Sequence, residues 1–325
     1  MNEDRDPDNV DWIELAELAA QGEGPAAKLA RRALEKRRAQ ASAAPVAQVP
    51  GQPPARAEVI RLPVWVEAVR AVPHMALRSA LFGAIRRGPR RYLQRETVAA
   101  IEGLQISYTG PRLDQGDLDV WESLLHLVRH QPMGEPCRVT AYALLKLMGK
   151  TDTGKNRDVL HTRIERLRAN AVTIKQGRYT YIGGLVDEAY KDEAAHQEWV
   201  IVLNPKLRPL FAADQFTQVQ WSVRQALAGH QLAQWLHGYY ASHADPYPMK
   251  VETLHKLCGS EMEQPFHFRD KLRKALDAVQ AVGGIVSWSI DADDLVHVVP
   301  VRSAAQQRHL QRRTRKPKGK PEDAP

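Results

Sequence analysis

DPYPMKVETLHKLCGSEMEQPFHFRDKLRKALDAVQAVGGIVSWSIDADDLVHVVPV, residues 245–301, decides how the rest of the chain is read. It divides into a short strand over residues 247–251, a short helix ending at Gly259, a longer helix, and a hairpin after Gly283 and Gly284. Strand, helix, turn, helix and hairpin in that order make a winged helix-turn-helix. In the longer helix Phe268, Leu272, Leu276 and Val279 fall at i, i+4, i+8 and i+11 and so share one face. His267, Asp270, Lys271, Arg273, Lys274 and Asp277 occupy the opposite face. A helix apolar on one side and largely basic on the other can dock on a core and still offer donors to DNA. The same pattern also describes a plain solvated helix.

The unit has a counterpart 110 residues upstream. Pro246 and Leu254-His255-Lys256-Leu257-Cys258-Gly259 match Pro136 and Leu144-Leu145-Lys146-Leu147-Met148-Gly149, an L-x-K-L-x-G run behind a proline-led strand in both places. The flanks agree. Leu160, Ile164, Leu167 and Ala171 line one face of a helix expected over residues 156–170. Its outer side carries Lys155, Asp158, His161, Thr162, Glu165 and Arg166, with Arg157 and Arg168 nearer the edge. Residues 172–176 and 179–185 follow as a hairpin with Gly177-Arg178 at its tip, and residues 199–203 as a third strand. Residues 220–240 read as the first helix of the C-terminal copy, with Val223, Leu227, Leu232 and Leu236 facing its core. Further upstream, residues 104–109 form a strand, and a helix begins near Leu118 with Val120, Leu124, Leu127 and Val128 inward. The expected fold class is α+β: two tandem winged-helix domains, residues 61–215 and 216–301, between disordered N- and C-terminal tails.

Length and charge are consistent with that plan. The 325 residues have room for roughly two ordinary domains plus tails. A net charge of +8 suggests a polyanionic partner, but its location matters more than its sum. From Arg302 onward eight Lys/Arg stand against two acids, whereas residues 1–60 hold eight basic and ten acidic side chains. The part between is therefore only modestly basic. Residues 1–60 run from an acidic start (Glu3, Asp4, Asp6, Asp8, Asp11) through a basic, Ala-rich stretch at 28–38 to a Pro/Ala/Gln-rich linker at 39–57. Residues 302–325 read as a basic disordered tail. The acidic start is the opposite of a signal peptide, and no apolar stretch approaches the roughly 20 residues of a membrane span. Cys137 and Cys258 lack metal or redox spacing and read as buried, reduced thiols. The expectation is a soluble, cytoplasmic protein.

Enzymatic readings are weaker. Residues 149–156, GKTDTGKN, fit a P-loop except at the last position, where Asn156 replaces the hydroxyl that would hold magnesium. The Ala, Leu and Met before it favour helix over the strand a P-loop needs. His126 and His130 have helical metal-ligand spacing but no third ligand nearby. Asp291, Asp293 and Asp294 suit a hairpin turn. No cofactor, metal or catalytic residue is expected.

The chain resembles the TrfA family of plasmid replication initiators. The resemblance rests on Arg78-Ser79-Ala80-Leu81-Phe82, Ile106-Ser107-Tyr108-Thr109-Gly110, Val120-Trp121, Gly134-Glu135-Pro136 and Leu210-Phe211-Ala212. It continues at Ser242-His243, Pro246-Tyr247-Pro248, Glu252-Thr253, Cys258-Gly259-Ser260 and Asp293-Asp294-Leu295-Val296-His297, all in order over residues 62–300. It implies two winged-helix domains that bind directly repeated sites (iterons) on double-stranded DNA at a plasmid origin. It also implies opening of adjacent AT-rich DNA and recruitment of the host initiator, replicative helicase and polymerase clamp. Family members interconvert between a monomer and a homodimer involved in copy control. Residues 57–65 lack the glutamine-led apolar motif expected for the clamp, and the basic tail lies outside the resemblance. A winged-helix transcriptional repressor would share every binding feature without recruiting a helicase.

Two recognition helices on one chain can enter successive major grooves, so that a monomer reads an asymmetric repeat. Phosphate contacts are expected from the wing tip (Lys175, Arg178) and the helix flanks (Arg157, Lys271). Base edges are expected to be read by Arg166 and His161 in the first unit and by Arg273, Lys274 and His267 in the second. Lys155 and Arg168 complete the DNA-binding set.

Overall fold

The computed structural model describes residues 59–315 except 87, 193–197 and 213, together with residues 24, 27–32 and 35. Met1–Glu58 form one unit and the chain from Val59 onward another. Within Met1–Glu58, residues 27–32 are helical with Ala27 and Ala30 buried, where a disordered arm was expected. The remainder of the arm before Val59, and residues 316–325, lie outside the described residues.

From Val59 the elements run β1 (Val69–Pro73), α1 (His74–Leu77), β2 (Phe82–Gly83), β3 (Tyr92–Val98), β4 (Leu104–Pro111), β5 (Leu113–Asp114), α2 (Gln115–Val128), β6 (Cys137–Val139), α3 (Ala141–Leu147) and α4 (Gly154–Arg168). Then come β7 (Ala171–Gln176), β8 (Tyr179–Gly183), β9 (Glu188–Asp192), β10 (Glu198–Val202), a 3-10 turn (Pro205–Phe211), β11 (Phe216–Gln220), α5 (Trp221–Ala226) and α6 (Gln231–Ala241). The chain continues through β12 (Met249–Lys250), α7 (Val251–Leu257), α8 (Pro265–Ala281), β13 (Ile285–Ile290), β14 (Leu295–Pro300) and α9 (Ala304–Arg315). The fold is mixed α+β, with small sheets and two apolar cores, one spanning Leu62 to Val219 and the other Leu227 to Val296.

Helix α2 is the hub of the first core. Asp114 caps it, accepting from the backbone N–H of Gly116 (2.8 Å) and Asp117 (2.9 Å), while the Asp117 carboxylate accepts from Asp114 N (2.9 Å). The helix therefore starts three residues before the expected Leu118. Burial extends around the whole helix: Leu118, Val120, Trp121, Leu124 and Val128 are buried, but so are Asp117, Asp119, Glu122, Ser123 and His126. Leu127, expected inward, is only half-buried. Val120, Leu124 and Val128 of the expected stripe are inward, and the remaining sides are buried too, because layers pack on several sides of this helix and its polar groups find partners there.

The repeated L-x-K-L-x-G runs fold alike down to single hydrogen bonds. After α3, Met148 N donates to Leu144 O (3.0 Å), Gly149 N to Lys146 O (3.0 Å) and Lys150 N to Leu145 O (2.8 Å). After α7, Cys258 N donates to Leu254 O (2.9 Å), Gly259 N to Lys256 O (3.0 Å) and Ser260 N to His255 O (3.3 Å). Gly149 and Gly259 take φ of +67° and +62°, a left-handed conformation that lets the chain leave the helix and that a side chain would strain. Residues 149–156 are thus a helix end, a turn capped by Thr153, and the start of α4. With a helix in place of the preceding strand, they do not form a P-loop.

Sheet topology corrects one expectation about the first wing. In the second unit β12 pairs with β14, and β14 with β13, as the sequence reading required. In the first unit the corresponding strand β6 pairs with β10, and β10 with β9 (Trp199↔Val139, Trp199↔Lys191). The hairpin topologically equivalent to β13–β14 is therefore β9–β10. The β7–β8 hairpin, with Gly177 and Arg178 at its turn, belongs to the antiparallel sheet β3-β4-β7-β8. The 199–203 strand does not extend that hairpin. Ala171 likewise is an exposed residue at the start of β7 rather than a core residue of α4.

Two further boundaries differ from expectation. The helix expected over 220–240 is broken between α5 and α6 at Gly229, whose φ is +91°. Strand β11 pairs with β1, and Val219 lies in the first core, so residues 216–220 belong with the first unit. The basic tail is helical over Ala304–Arg315, where disorder was expected. It opens with a reciprocal cap in which Gln306 N donates to Ser303 Oγ (3.2 Å) and Ser303 N to Gln306 Oε1 (2.8 Å). Arg302 Nε donates to Ala244 O (2.8 Å) and Gln306 Nε2 to Ala241 O (2.9 Å), anchoring its first turn to the end of α6. No helix among the described residues is long and apolar enough to cross a membrane.

Candidate nucleic-acid interface

Helix α8 begins at Pro265, suited to the first helical position because its ring presets φ and no N–H is lost there. Phe268, Leu272, Ala275, Leu276 and Val279 are buried. The expected outer residues His267, Asp270, Lys271, Arg273, Lys274 and Asp277 all lie on its wet side. No ion pair among the described residues engages His267, Lys271, Arg273 or Lys274. The helix N-terminus has neither a side-chain cap nor an acid in its first turn, so its positive dipole end is open to an anion. His267, Lys271 and Lys274 border a cleft of about 820 Å³ that is also lined by Arg86, His230 and Gln231 and by the acids Glu261 and Glu263. Arg273 lies outside the cleft, on the open face.

Helix α4 is electrostatically different. Thr153 caps it through Asn156 N (3.3 Å), and Leu160, Ile164 and Leu167 hold it to the core. Arg166, expected outward, turns inward to the fully buried Asp117, with Nη2 at 2.7 Å from Oδ1. Arg163 approaches the same carboxylate at 3.9 Å. Burial and the neighbouring Asp114 charge lift the Asp117 carboxyl above its ordinary range. Against the upward push of burial, Arg163 and Arg90 hold Asp114 below it. Arg157 makes a two-pronged pair with Asp152 (both 2.6 Å). Half-buried His161 bonds Glu165 (3.0 Å) and tilts against Trp199 of β10. Lys155 and Arg168 are exposed on α4, and Lys175 and Arg178 on the β7–β8 hairpin.

The structure thus groups the second-unit candidates on one open basic helix and ties Arg157, His161 and Arg166 of the first unit to acids. The Asp117 partnership was invisible in sequence because it joins residues 49 apart. An acid in the first turn of a helix and an Arg on another helix are common singly and informative only once paired. Arg166→Ala is expected to cost about 1–3 kcal/mol of stability by leaving Asp117 without its closest partner, and to leave sequence preference on DNA unchanged. Thermal melts and competition binding check the two halves of that statement.

Other candidate chemistry is accounted for by packing. His126 accepts from Trp65 Nε1 at Nδ1 (2.9 Å) and bonds Glu67 Oε2 at Nε2 (2.8 Å), so both ring nitrogens are engaged. Among the described residues no group of three His, Cys, Asp or Glu could hold a metal. Asp291 accepts from the N–H of Asp293 (3.0 Å) and Leu295 (2.9 Å), closing the β13–β14 turn. Both cysteines are free and buried, and burial pushes the Cys258 thiol up to about 12.

A family model described as the TrfA protein matches residues 55–300. The chain belongs to the TrfA family. The match spans both cores and the α3–α4 and α7–α8 helix pairs and stops at the end of β14, before α9. The chain is 28% identical over 244 residues to the plasmid replication initiator protein TrfA of Escherichia coli, covering 72% of this chain and 62% of that relative. It is also similar to two crystal structures of domains 2 and 3 of RctB, at 18% identity and TM-scores of 0.44 and 0.43. Those likenesses cover 61% of this chain and 82% and 80% of the RctB chains.

Proposed function

We propose that the chain is a non-enzymatic, sequence-specific DNA-binding initiator of plasmid replication that reads origin iterons with two tandem winged-helix domains. The domains comprise residues 61–220 and 221–301, the boundary lying five residues later than the sequence suggested because β11 belongs to the first core. The observation that carries the reading is the repeated helix-turn-helix with matching cap bonds, one copy of which presents an open basic helix. Membership of the TrfA family supplies the initiator reading. Arg273 and Lys274 with His267 read base edges, and Lys271 and the open N-terminus of α8 hold phosphate. In the first unit Lys155, Arg157, His161 and Arg168 meet the duplex. Lys175 and Arg178, on a hairpin outside the wing's topological position, lie at its margin. Bound at the origin, the protein brings in the host initiator and replicative helicase, working in the cytoplasm.

The test has two parts. Wild-type protein selects duplexes from a random pool, and a plasmid carrying the matching repeats is scored for maintenance with the gene supplied in trans. Maintenance that depends on the gene is the expected result. Enrichment of a duplex without any gene-dependent replication would identify a repressor instead.

A further inference from the structure

Each helix-turn-helix turn is held by groups from the other proposed domain. The α3 carbonyl Leu147 O accepts from the Trp221 indole N–H of α5 at 3.3 Å. Beyond α7, Cys258 O accepts from Ala84 N and Gly259 O from the Arg112 guanidinium, both at 2.7 Å. The other arm of Arg112 pairs with Glu261 at 2.7 Å. The bracing is therefore reciprocal and falls on the segment that aims each recognition helix. The left-handed glycines mark the same closeness: a Cβ at Gly149 would meet the Gln225 amide at 2.5 Å, and one at Gly259 would meet Arg112 at 2.7 Å.

The rest of the seam is also made of specific bonds. Gln231 Oε1 accepts from Gln115 N at 2.9 Å, tying the first residues of α6 and α2 together. Trp235 Nε1 donates to Ser79 O at 3.1 Å and Arg78 Nε to Ser242 Oγ at 2.9 Å. Fully buried Arg224 reaches Asp119 Oδ1 at 2.7 Å and Gln115 O at 3.0 Å. There is no linker at this point, since β11 ends at Gln220 and α5 begins at Trp221. Rotating one core against the other would break these bonds together and leave buried donors and acceptors unpaired.

We propose that this seam fixes the distance and rotation between the two recognition helices, so that the chain measures the spacing between half-sites as well as their sequence. Arg112 and Trp221 are the positioning residues. The proposal rests on the tandem reading above. Modules on a flexible tether tolerate a changed spacing because the second re-docks by diffusion. Rigid modules do not, since one inserted base pair shifts a half-site by about 3.4 Å and turns it by about 35°.

The probe is a duplex enriched from a random pool by the wild-type chain, compared with the same duplex carrying one base pair inserted or deleted between its half-sites. The wild-type chain is expected to bind the altered duplexes at least about tenfold more weakly. Arg112→Ala and Trp221→Phe, the latter keeping an aromatic ring and removing the N–H, are expected to shrink that penalty several-fold. Lys256→Ala, on the exposed side of α7, should leave it unchanged. The penalty is a ratio, so a general drop in stability or affinity does not move it. Equal wild-type binding to all spacings overturns the proposal, as does an undiminished penalty in folded Trp221→Phe. A pool that yields no enriched duplex overturns the DNA reading itself, which is a different outcome from an enriched duplex indifferent to spacing.

Discussion

Arg224→Met is expected to destabilise the folded chain by about 3–5 kcal/mol, the cost of breaking a buried charge cluster by removing one partner. Arg224 is fully buried, with Asp119 at 2.7 Å, Glu122 at 3.3 Å and the Gln115 side-chain and main-chain oxygens at 3.2 and 3.0 Å. Burial pushes the Glu122 carboxyl up to about 7, and Arg224 pulls it back. Neither Glu122 oxygen has a hydrogen-bond partner among the described residues, so the nearby guanidinium charge is its main compensation. Methionine is unbranched and adaptable, which confines most of the effect to charge and hydrogen bonding. Urea denaturation of wild type and variant measures it. A variant as stable as wild type would mean that the cluster is indifferent to the buried cation that reaches both Asp119 and Glu122. Asp119→Asn with Arg224→Met should recover part of the stability, because fewer unpaired charges stay buried. The exposed Lys256–Glu252 pair of α7 is the contrast: both ends are about two-thirds or more in water, and Lys256→Ala should give no measurable change.

The second unit was legible in sequence because its signals are local. The 3.6-residue period of Phe268, Leu272, Leu276 and Val279, the glycines that end α7 and α8, and the Asp-rich turn each specify their own element. The repeat at 110 residues then located the first unit. Non-local pairings were not legible. Residues 171–185 form a good hairpin, and nothing in them says that β4 rather than β6 lies alongside. The β9 strand carries Lys191 and Glu188 and has no long apolar run to announce it, so the wing hairpin was overlooked. Buried polar groups were missed for the same reason. Asp117, Asp119 and Glu122 look solvent-facing on a wheel, and distant partners, chiefly Arg166 and Arg224 at sequence distances of 49 and about 100 residues, allow them inside.

That contrast between the units sets the second large effect. Arg273→Ala combined with Lys274→Ala should lower affinity for the selected duplex by roughly 1–3 kcal/mol for each side chain that reads a base, about 5- to 150-fold apiece. Both side chains are exposed on α8 and neither is held by an acid among the described residues, so the substitutions break no ion pair of the folded state and stability should hold. Removing a base reader relaxes preference at one position of the site, whereas removing a phosphate partner weakens all sequences alike and flattens the salt dependence by about one counterion. Measuring affinity over a panel of single-base variants at several salt concentrations separates the two roles. Arg273, on the open face, is expected to show the first behaviour. Lys274 borders the cleft beside Lys271, so a larger salt effect than sequence effect there would reassign it to the backbone. Wild-type affinity in the folded double variant would remove α8 from the interface and leave α4, whose arginines are mostly committed to Asp117 and Asp152, to account for DNA binding. With Arg157, Arg163 and Arg166 facing acids of the same unit, α4 has fewer free donors to do so, and this is why α8 is the helix to test first.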